Sequence, residues 1–339
     1  MARRIVLVLL VLAAPSLCDA SSAADDVLMA RARAAGWSYL IDRLAADGVP
    51  RAQAAQLFSD PRMEPFTGLE FGLAPREPRS TYRHFLHPSS IAQARDCRAR
   101  YASAFEKAER EHGVSASVVA AILHVESGCG RNTGSMVVLY RVARLAMANE
   151  PGNLAANTAR LAAEHPEGPV AVDARVRARA KYLEDTFYPE VRATLVLADR
   201  LGIDPLALRG SSAGAFGYPQ FLPTSYLKHG VDGDGDGRVS LYDPDDAIVS
   251  TASYLAAYGW RPGITAATRR ATIWRYNHSD AYVDAVLALA EYIDGRAMPV
   301  QARRPARQGR HQARARKKVR RAGAVPGSRV VRSGRATVA

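Results

Sequence analysis

The feature that most constrains the fold is an apolar stretch that ends in a single acid, Glu126. Ser115 and Ser117 can cap the start of a helix here, and the valine, isoleucine and leucine residues that follow supply its core face. Gly128 and Gly130 end it. The stretch predicts a mostly buried helix with a carboxyl group in its last turn, so other segments of the chain must pack around it.

A carboxylate at this position is poorly stabilised. The C-terminal end of a helix carries partial negative charge, and apolar neighbours penalise the charged form of Glu126. Both effects favour the protonated acid near neutral pH, which is the form that a general acid needs. The alternative is an ordinary, partly exposed glutamate near a helix end, because short motifs of this kind are common.

The N-terminus has the pattern of a secretory signal peptide. Arg3 and Arg4 are followed by the apolar run 5–14 and then by small residues. That run is too short to span a bilayer, and no later segment is long and apolar enough to do so. We therefore expect residues 1–24 to be removed on export to the periplasm, with a lipid anchor at Cys18 as the alternative.

Two cysteines, Cys97 and Cys129, remain after such a cleavage. An even number in an oxidising compartment suggests a disulfide, whereas two buried free thiols are the alternative. The bridge would close a loop of 32 residues, a stabilisation of roughly 3–4 kcal/mol in the chain-entropy description. It would also fix the turn that follows Glu126.

The formal charge of +13 is concentrated at the C-terminus. Residues 296–339 contain 12 Arg, 2 Lys and no Asp or Glu, so the rest of the chain is close to neutral. This tail is predicted to be disordered, because it has too few large apolar residues to fold alone. We expect it to tether the protein to anionic wall or membrane surfaces, or to be a solvated extension, and nucleic acid is not an expected target of an exported protein.

The remaining sequence predicts a mainly α protein. Ala, Leu, Arg and Glu dominate, alternating strand patterns are scarce, and no internal repeat is present. Residues 25–295 are enough for one large domain or two modest ones. Helices are expected at Asp26–Gly48, Pro50–Phe58, Ser89–Gly113, Val114–Ser127, Ala247–Gly259 and Asp280–Asp294, and the stretch Asp173–Gly202 is expected to hold further, separate helices.

The loop Gly210–Pro223 has the composition of a sugar-binding surface. Its glycines and alanines let the backbone come close to a ligand, while Ser211 and Gln220 supply uncharged donors and acceptors. Three aromatic residues offer flat apolar faces, which suit the C–H groups of a sugar ring. A tight structural loop is the alternative.

The stretch Asp232–Asp243 matches an EF-hand calcium loop. Position 12 is Asp243, one methylene shorter than the usual Glu, and Asp246 lies just beyond it. The carboxylates would repel one another without a cation, which favours a structural calcium over an acidic surface turn. The expected ligands are the side chains of Asp232, Asp234 and Asp236 and the backbone carbonyl of Arg238.

Together with the stretch Trp274–Tyr282, these features resemble the lytic transglycosylase B family, which cleaves peptidoglycan. The resemblance covers roughly residues 30–294. The motifs occur in the order and with the approximate spacing of the family, which makes the set more specific than any single motif. The matching pieces are Val125-Glu-Ser127, Gly210-Ser-x-Ala-Gly-Ala-x-Gly-x-x-Gln-Phe-x-Pro223, Val231-Asp-x-Asp-Gly-Asp-Gly237, Asp243-Pro-x-Asp-Ala247, Ala252-x-Tyr254, Gly259-Trp260 and Arg275-Tyr-Asn277.

The resemblance implies a lysozyme-like catalytic domain, 101–295, with an EF-hand-like calcium loop at 232–246 and an added N-terminal helical region, 25–100. It implies that Glu126 is the catalytic acid and that Asp246, not Asp243, is the last calcium ligand. Calcium is the expected cofactor, in a structural role and without an organic cofactor, and peptidoglycan strands are the expected partner. The implied substrate contacts are Ser211, Gln220, Tyr254, Tyr276 and Asn277.

The number of acids agrees with this chemistry. Glycosidases usually pair two carboxylates, whereas the sequence offers one well-placed acid, Glu126. The resemblance implies that Glu126 protonates the MurNAc–GlcNAc bond and then deprotonates the muramoyl C6 hydroxyl, which leaves 1,6-anhydro ends. A hydrolytic muramidase and a non-catalytic, calcium-stabilised peptidoglycan-binding protein are the alternatives.

Overall fold

The structure, a computed structural model, describes residues 17–73, 77–165 and 168–296. The apolar run of the predicted signal peptide and the basic tail beyond Arg296 lie outside the described residues. The compact unit that contains the described chain ends at Arg296.

The described residues are mainly helical, as the sequence predicts. A 3-10 helix covers Arg79–Leu86, and two short strands, β1 (Met136–Val137) and β2 (Arg209–Gly210), pair in antiparallel register. The α-helices are α1 Leu17–Ala34, α2 Ser38–Ala46, α3 Arg51–Phe58, α4 Pro88–Arg100, α5 Ala102–His112, α6 Ala116–Ser127, α7 Val138–Ala146, α8 Pro151–Glu164, α9 Pro169–Leu201, α10 Pro223–His229, α11 Pro244–Ala257, α12 Ala266–Tyr276 and α13 Asp280–Ile293.

Two of the predicted helices are wrong, because the structure breaks each of them in two. The stretch Asp26–Gly48 becomes α1 and α2, and the break falls at Gly36, where φ is +81°. A Cβ at Gly36 would lie 2.6 Å from the Phe66 carbonyl oxygen. The stretch Ser89–Gly113 breaks at Tyr101, which leaves the helical region so that α4 packs on α6 while α5 packs on α11.

The central helix is α6, which ends in Glu126 and Ser127 and is surrounded by α4, α5, α11 and α13. Ten of its twelve residues are buried. A helix with so many apolar side chains has no solvent-facing stripe, so neighbours are required on most sides. The predicted buried helix with a carboxyl group in its last turn is therefore confirmed.

The longest helix, α9, has 33 residues and packs against α7, α8 and α10. It continues through Pro189, where the sequence predicts separate helices. Directly after this proline, the buried carboxylate of Glu190 accepts hydrogen bonds from the Thr224 N–H at 2.8 Å and the Thr224 hydroxyl at 2.6 Å. These bonds fasten the start of α10 to α9. None of the described helices, α9 included, is both long and apolar enough to span a membrane.

Candidate active site

Glu126 lies in the last turn of α6, just before Gly128, which ends the helix in a left-handed conformation (φ +61°). The Glu126 side chain is half-buried. The hydroxyl of Tyr282, on α13, donates a hydrogen bond to Glu126 Oε1 at 2.6 Å. Tyr282 is only 1% exposed, so bulk water is largely kept from its side of the carboxyl group.

Burial raises the pKa of Glu126 from 4.5 to about 7. The negative charge of Glu77 raises this pKa further, whereas the hydrogen bond from Tyr282 lowers it. A carboxyl group that titrates near neutral pH can give up a proton in one step and take one back in the next. The electrostatics thus agree with the protonated acid that the helix end predicts.

Four tyrosines form an aromatic wall beside Glu126. The rings of Tyr276 and Tyr282 are stacked, with centroids 6.4 Å apart and an angle of 7° between their planes. Tyr254 meets the edge of Tyr276 at 4.9 Å, and Tyr82 meets the edge of Tyr282 at 5.6 Å. Such flat apolar faces next to a carboxyl group can cover the face of a sugar ring.

Two members of this wall also hold neighbouring segments. The Tyr276 hydroxyl donates to the Pro219 carbonyl oxygen at 2.6 Å, which brings the loop Gly210–Pro223 against the wall. The Tyr254 hydroxyl donates to the Arg275 carbonyl oxygen at 2.8 Å, and Tyr254 is 8% exposed. Tyr254 therefore supports Tyr276 through its ring contact and through its bond to the preceding residue.

Ser127 joins the helix of Glu126 to the same loop. Its hydroxyl donates to the Tyr218 carbonyl oxygen at 2.8 Å and accepts the N–H of Gly130 at 2.8 Å. The Tyr218 ring lies over Gly130, where a Cβ would be 2.0 Å from the ring. A residue larger than glycine at 130 would displace the ring, and so the loop.

Gln220 is held in a left-handed conformation (φ +50°), which is uncommon for a residue other than glycine. Its side-chain N–H2 group donates to the carbonyl oxygens of Thr133 at 3.2 Å and Gly217 at 2.9 Å. Among the described residues none donates to its Oε1, which leaves that oxygen as an acceptor for a ligand.

The other two predicted contacts, Ser211 and Asn277, have different local partners. Ser211 is half-exposed at the start of the loop, and its hydroxyl accepts the N–H of Ala215 at 3.2 Å. Asn277 ends α12, and its side chain is hydrogen-bonded to the Tyr82 hydroxyl, a bond that lowers the pKa of Tyr82. Asn277 is therefore bonded to the tyrosine wall, Gln220 follows the Pro219 that Tyr276 holds, and Ser211 lies at the other end of the loop sequence.

The predicted disulfide between Cys97 and Cys129 is confirmed. The two Cα atoms are 6.3 Å apart, and the bridge ties α4 to the turn that follows Gly128. It therefore restrains the end of the helix that carries Glu126.

The segment 232–246, called the acidic loop below, brings three carboxylates together. One oxygen each of Asp232, Asp234 and Asp246 lies within 4.8 Å of the others. Asp246 is 2% exposed although it is ionisable, which is unusual without a charged partner. Asp243 instead caps the start of α11 and accepts the N–H of Asp245 at 2.8 Å. The donor set of hard oxygens suits a calcium ion.

Two predicted ligands, Asp236 and the Arg238 carbonyl, are not part of this group of three. Asp236 is exposed, and its carboxylate accepts the N–H of Arg238 at 2.8 Å.

The far end of the acidic loop contacts the loop Gly210–Pro223, because the Tyr218 N–H donates to the Leu241 carbonyl oxygen at 2.8 Å. The acidic loop thus supports the segment that carries Gln220.

Residues 32–271 match the family described as the transglycosylase SLT domain, a match that covers more than half of the chain. The chain belongs to this family. Membrane-bound lytic murein transglycosylase B of Escherichia coli (strain K12) is 32% identical over 181 residues, which are 53% of this chain and 42% of that protein. The match therefore spans less than half the length of this relative.

Solved structures of lytic transglycosylases share the fold of this SLT domain. One from Escherichia coli, in complex with bulgecin A, superposes with a TM-score of 0.57 at 25% identity. The matched part is 76% of this chain and 92% of the Escherichia coli chain. A structure of the same Escherichia coli enzyme in complex with calcium gives 0.55 at 25% identity. A soluble lytic transglycosylase from Pseudomonas aeruginosa gives 0.56 at 26% identity and covers 77% of this chain and 98% of its own.

The sequence analysis missed three residues beside the Glu126 of this SLT domain: Tyr282, Tyr82 and Glu77. Tyr282 stands three residues after Ser279, the N-cap of α13, and its closeness to the Tyr276 motif was the available signal. Glu77 and Tyr82 lie in a stretch rich in proline and glycine that has no helical period. Their place beside Glu126 follows from packing between distant segments, for which that stretch carries no local signal.

Proposed function

We propose that this protein is a peptidoglycan lytic transglycosylase, which cleaves the MurNAc–GlcNAc bond and leaves 1,6-anhydro-MurNAc ends during cell-wall remodelling. The observation that carries the proposal is the state of Glu126, a half-buried carboxyl group at a helix end with a pKa of about 7. Membership of the transglycosylase SLT family and relatives named lytic transglycosylases support it.

Glu126 serves both proton transfers in this reaction. The protonated carboxyl group donates to the glycosidic oxygen, and the C–O bond breaks as positive charge develops on the muramoyl ring. The N-acetyl group of the substrate stabilises that charge. Glu126, now a carboxylate, takes the proton of the muramoyl C6 hydroxyl, whose oxygen bonds to C1 and closes the anhydro ring. The proton is returned to Glu126, and water is not consumed.

Neutral groups around Glu126 hold the glycan strand. Gln220 Oε1 accepts a hydrogen bond from a substrate hydroxyl or amide, since the described chain gives it no donor. Ser211 and Asn277 supply further uncharged hydrogen-bonding groups. Tyr276, supported by Tyr254, covers a sugar face. Uncharged donors and acceptors fit a polymer recognised through hydroxyl and acetamido groups.

The products of digestion distinguish this function from its alternatives. Purified peptidoglycan sacculi are incubated with the protein, and the released fragments are weighed by mass spectrometry. Anhydro ends are the expected result, reducing ends would identify a hydrolytic muramidase, and binding without release would identify a non-catalytic binding protein. Only the first outcome agrees with the proposal.

We further propose a structural calcium ion in the acidic loop. Asp232, Asp234 and Asp246 supply carboxylate oxygens, and Asp236 and the Arg238 carbonyl complete the set expected of an EF-hand-like loop. The fit rests on the grouped oxygens and the buried Asp246. Calcium would neutralise the acidic loop and stiffen its contact with the loop Gly210–Pro223, without a part in bond cleavage.

The place of action proposed here is the periplasm, with the signal peptide removed or, in the alternative, with a lipid at Cys18. The apolar N-terminal run, the disulfide between Cys97 and Cys129 and the relatives' names support export. The tail 296–339 is proposed to hold the enzyme on anionic wall or membrane surfaces through its arginines.

A further inference from the structure

A second carboxyl group, Glu77, is connected to Glu126 through two tyrosines. The Tyr82 hydroxyl donates to Glu77 Oε1 at 2.6 Å, and the Tyr282 hydroxyl donates to Glu126 Oε1 at 2.6 Å. The two rings meet edge to face, with centroids 5.6 Å apart and an angle of 82° between their planes. Two glutamate–tyrosine pairs therefore face each other across one ring contact.

The anchoring of Tyr82 determines how firmly Tyr282 is held. Tyr82 is 8% exposed and Tyr282 is 1% exposed, so a phenol hydroxyl of either residue needs a partner within the protein. Glu77 supplies that partner for Tyr82 and fixes the ring against which Tyr282 packs. Without this bond, Tyr82 would lose a charge-assisted hydrogen bond, and its ring would be free to move away from Tyr282.

We propose that Glu77 is a positioning residue of this site, which acts on Glu126 through Tyr82 and Tyr282. The inference rests on the proposed function in one respect, since it takes Glu126 to be the general acid. It assigns a role to a carboxyl group that stands in none of the sequence motifs on which the family resemblance rests.

The charge of Glu77 also acts on Glu126, independently of the bond to Tyr82. A nearby negative charge disfavours ionisation of a carboxyl group, and Glu77 raises the pKa of Glu126 in this way. The tyrosines that interact electrostatically with Glu126 are Tyr82, Tyr276 and Tyr282, and they are neutral near pH 7 because burial raises the pKa of each. Glu77 is therefore the charged group that biases Glu126 toward its neutral form.

Other ionisable groups on the elements around Glu126 are exposed or are bonded to partners other than Glu126. Arg83 and His84, on the same 3-10 helix as Tyr82, are exposed. His124, two residues before Glu126, is buried and bonded to Ser90 at 2.7 Å through Nε2. Arg270, on α12, pairs with Asp284 near the start of α13 and lies 4.0 Å from Asp280.

Glu77→Gln separates the charge from the geometry, because the amide oxygen can still accept from Tyr82. The full-length protein is labelled with ¹³C-glutamate, and the Glu126 carboxyl signal, assigned by its loss in Glu126→Gln, is titrated by NMR. We expect its midpoint to move to lower pH in Glu77→Gln. Glu106→Gln, which removes the same charge from the exposed face of α5, serves as the control and should leave the midpoint in place. A midpoint that does not move in Glu77→Gln overturns the role of the charge.

Glu77→Ala tests the geometry, because it removes the same charge as Glu77→Gln and also removes the acceptor of the Tyr82 hydroxyl, while Tyr82 keeps its bond to Asn277. On short glycan fragments we expect kcat to fall about tenfold with KM little changed, as for loss of a group that orients a catalytic residue. An unchanged kcat overturns the positioning role. Failure of the proposed function is distinguishable, because a protein that releases no glycan ends still reports the Glu126 midpoint by NMR. Thermal unfolding of each variant verifies that it is folded.

Discussion

Glu126 is kept neutral by its surroundings, and this makes the folded state less stable at high pH. Its pKa is about 7 in the fold and 4.5 without the fold's influence. Below the lower value the group is protonated in both states and costs nothing. Between the two values the unfolded chain releases the proton while the folded chain keeps it, so stability falls as pH rises and levels off above about 7. The loss is on the order of 3 kcal/mol.

Glu126→Gln should therefore abolish cleavage and stabilise the fold at the same time. The loss of activity is expected to be about 10²–10⁴-fold or more, because one group serves both proton transfers. The melting temperature should exceed that of the unaltered protein near pH 8 and match it near pH 4, where the glutamate is protonated in both states. The two measurements are fragment release and thermal unfolding at both pH values. Residual cleavage at a normal rate, or an equal stability change at both pH values, would contradict this account of Glu126.

At the scale of elements, the hydrogen bonds that Ser127 makes between α6 and the loop Gly210–Pro223 decide how the site is assembled. Ser127 is 3% exposed and bonds to both Tyr218 and Gly130. Ser127→Ala leaves the partly buried Tyr218 carbonyl and Gly130 N–H without their partner, which costs up to about 1–3 kcal/mol. We expect a lower melting temperature and a raised KM, because the segment with Gln220 is no longer held against the helix. Ser212→Ala, an exposed change in the same loop, should affect neither quantity.

The acidic loop should respond to calcium as a folded-state ligand site. Added calcium is expected to raise the melting temperature, because an ion that binds the native state alone stabilises it by mass action. Asp232→Ala should remove the response, whereas Asp199→Ala, an exposed acid on α9, should retain it. The measurement is thermal unfolding with calcium and with chelator. Identical curves for the unaltered protein in both conditions would refute the ion site.

The elements also differ in how far the sequence predicts them. α6 is predicted because its apolar spacing and the glycine at 128 are local signals. The breaks at Gly36 and Tyr101 are not, because they depend on partners such as Phe66 that lie elsewhere in the chain. Motif residues such as Gln220 could be recognised for the same local reason, whereas Glu77 reaches the site through tertiary packing.

At the scale of the whole molecule, the charge is separated from the chemistry. The tail carries the excess of arginine, and the compact unit ends at Arg296, whose N–H donates to the Glu291 carbonyl oxygen. All of the groups placed around Glu126 lie before that point. The proposed tether and the proposed catalytic site can therefore be tested separately.

A chain that ends at Arg296 should keep its turnover on short glycan fragments and lose binding to intact sacculi or anionic vesicles. The loss should be largest at low salt, because the Debye length falls from about 10 Å at 0.1 M to about 3 Å at 1 M. Sedimentation with sacculi across a salt series measures the binding, and fragment release is the parallel control. Equal sedimentation of both proteins at low salt would reject the tether, and lost fragment cleavage would mean that the tail supports the site.

The hydrogen bond from the Tyr218 N–H to the Leu241 carbonyl oxygen joins two loops that bind different ligands in the proposed enzyme. Binding free energies coupled in this way are reciprocal, so an ion that strengthens the hold on a glycan strand is itself held more tightly while that strand is bound, by the same factor. Enzyme seated on the wall would then retain calcium that free enzyme releases. The substrate would thereby help to maintain the metal on which its own recognition depends.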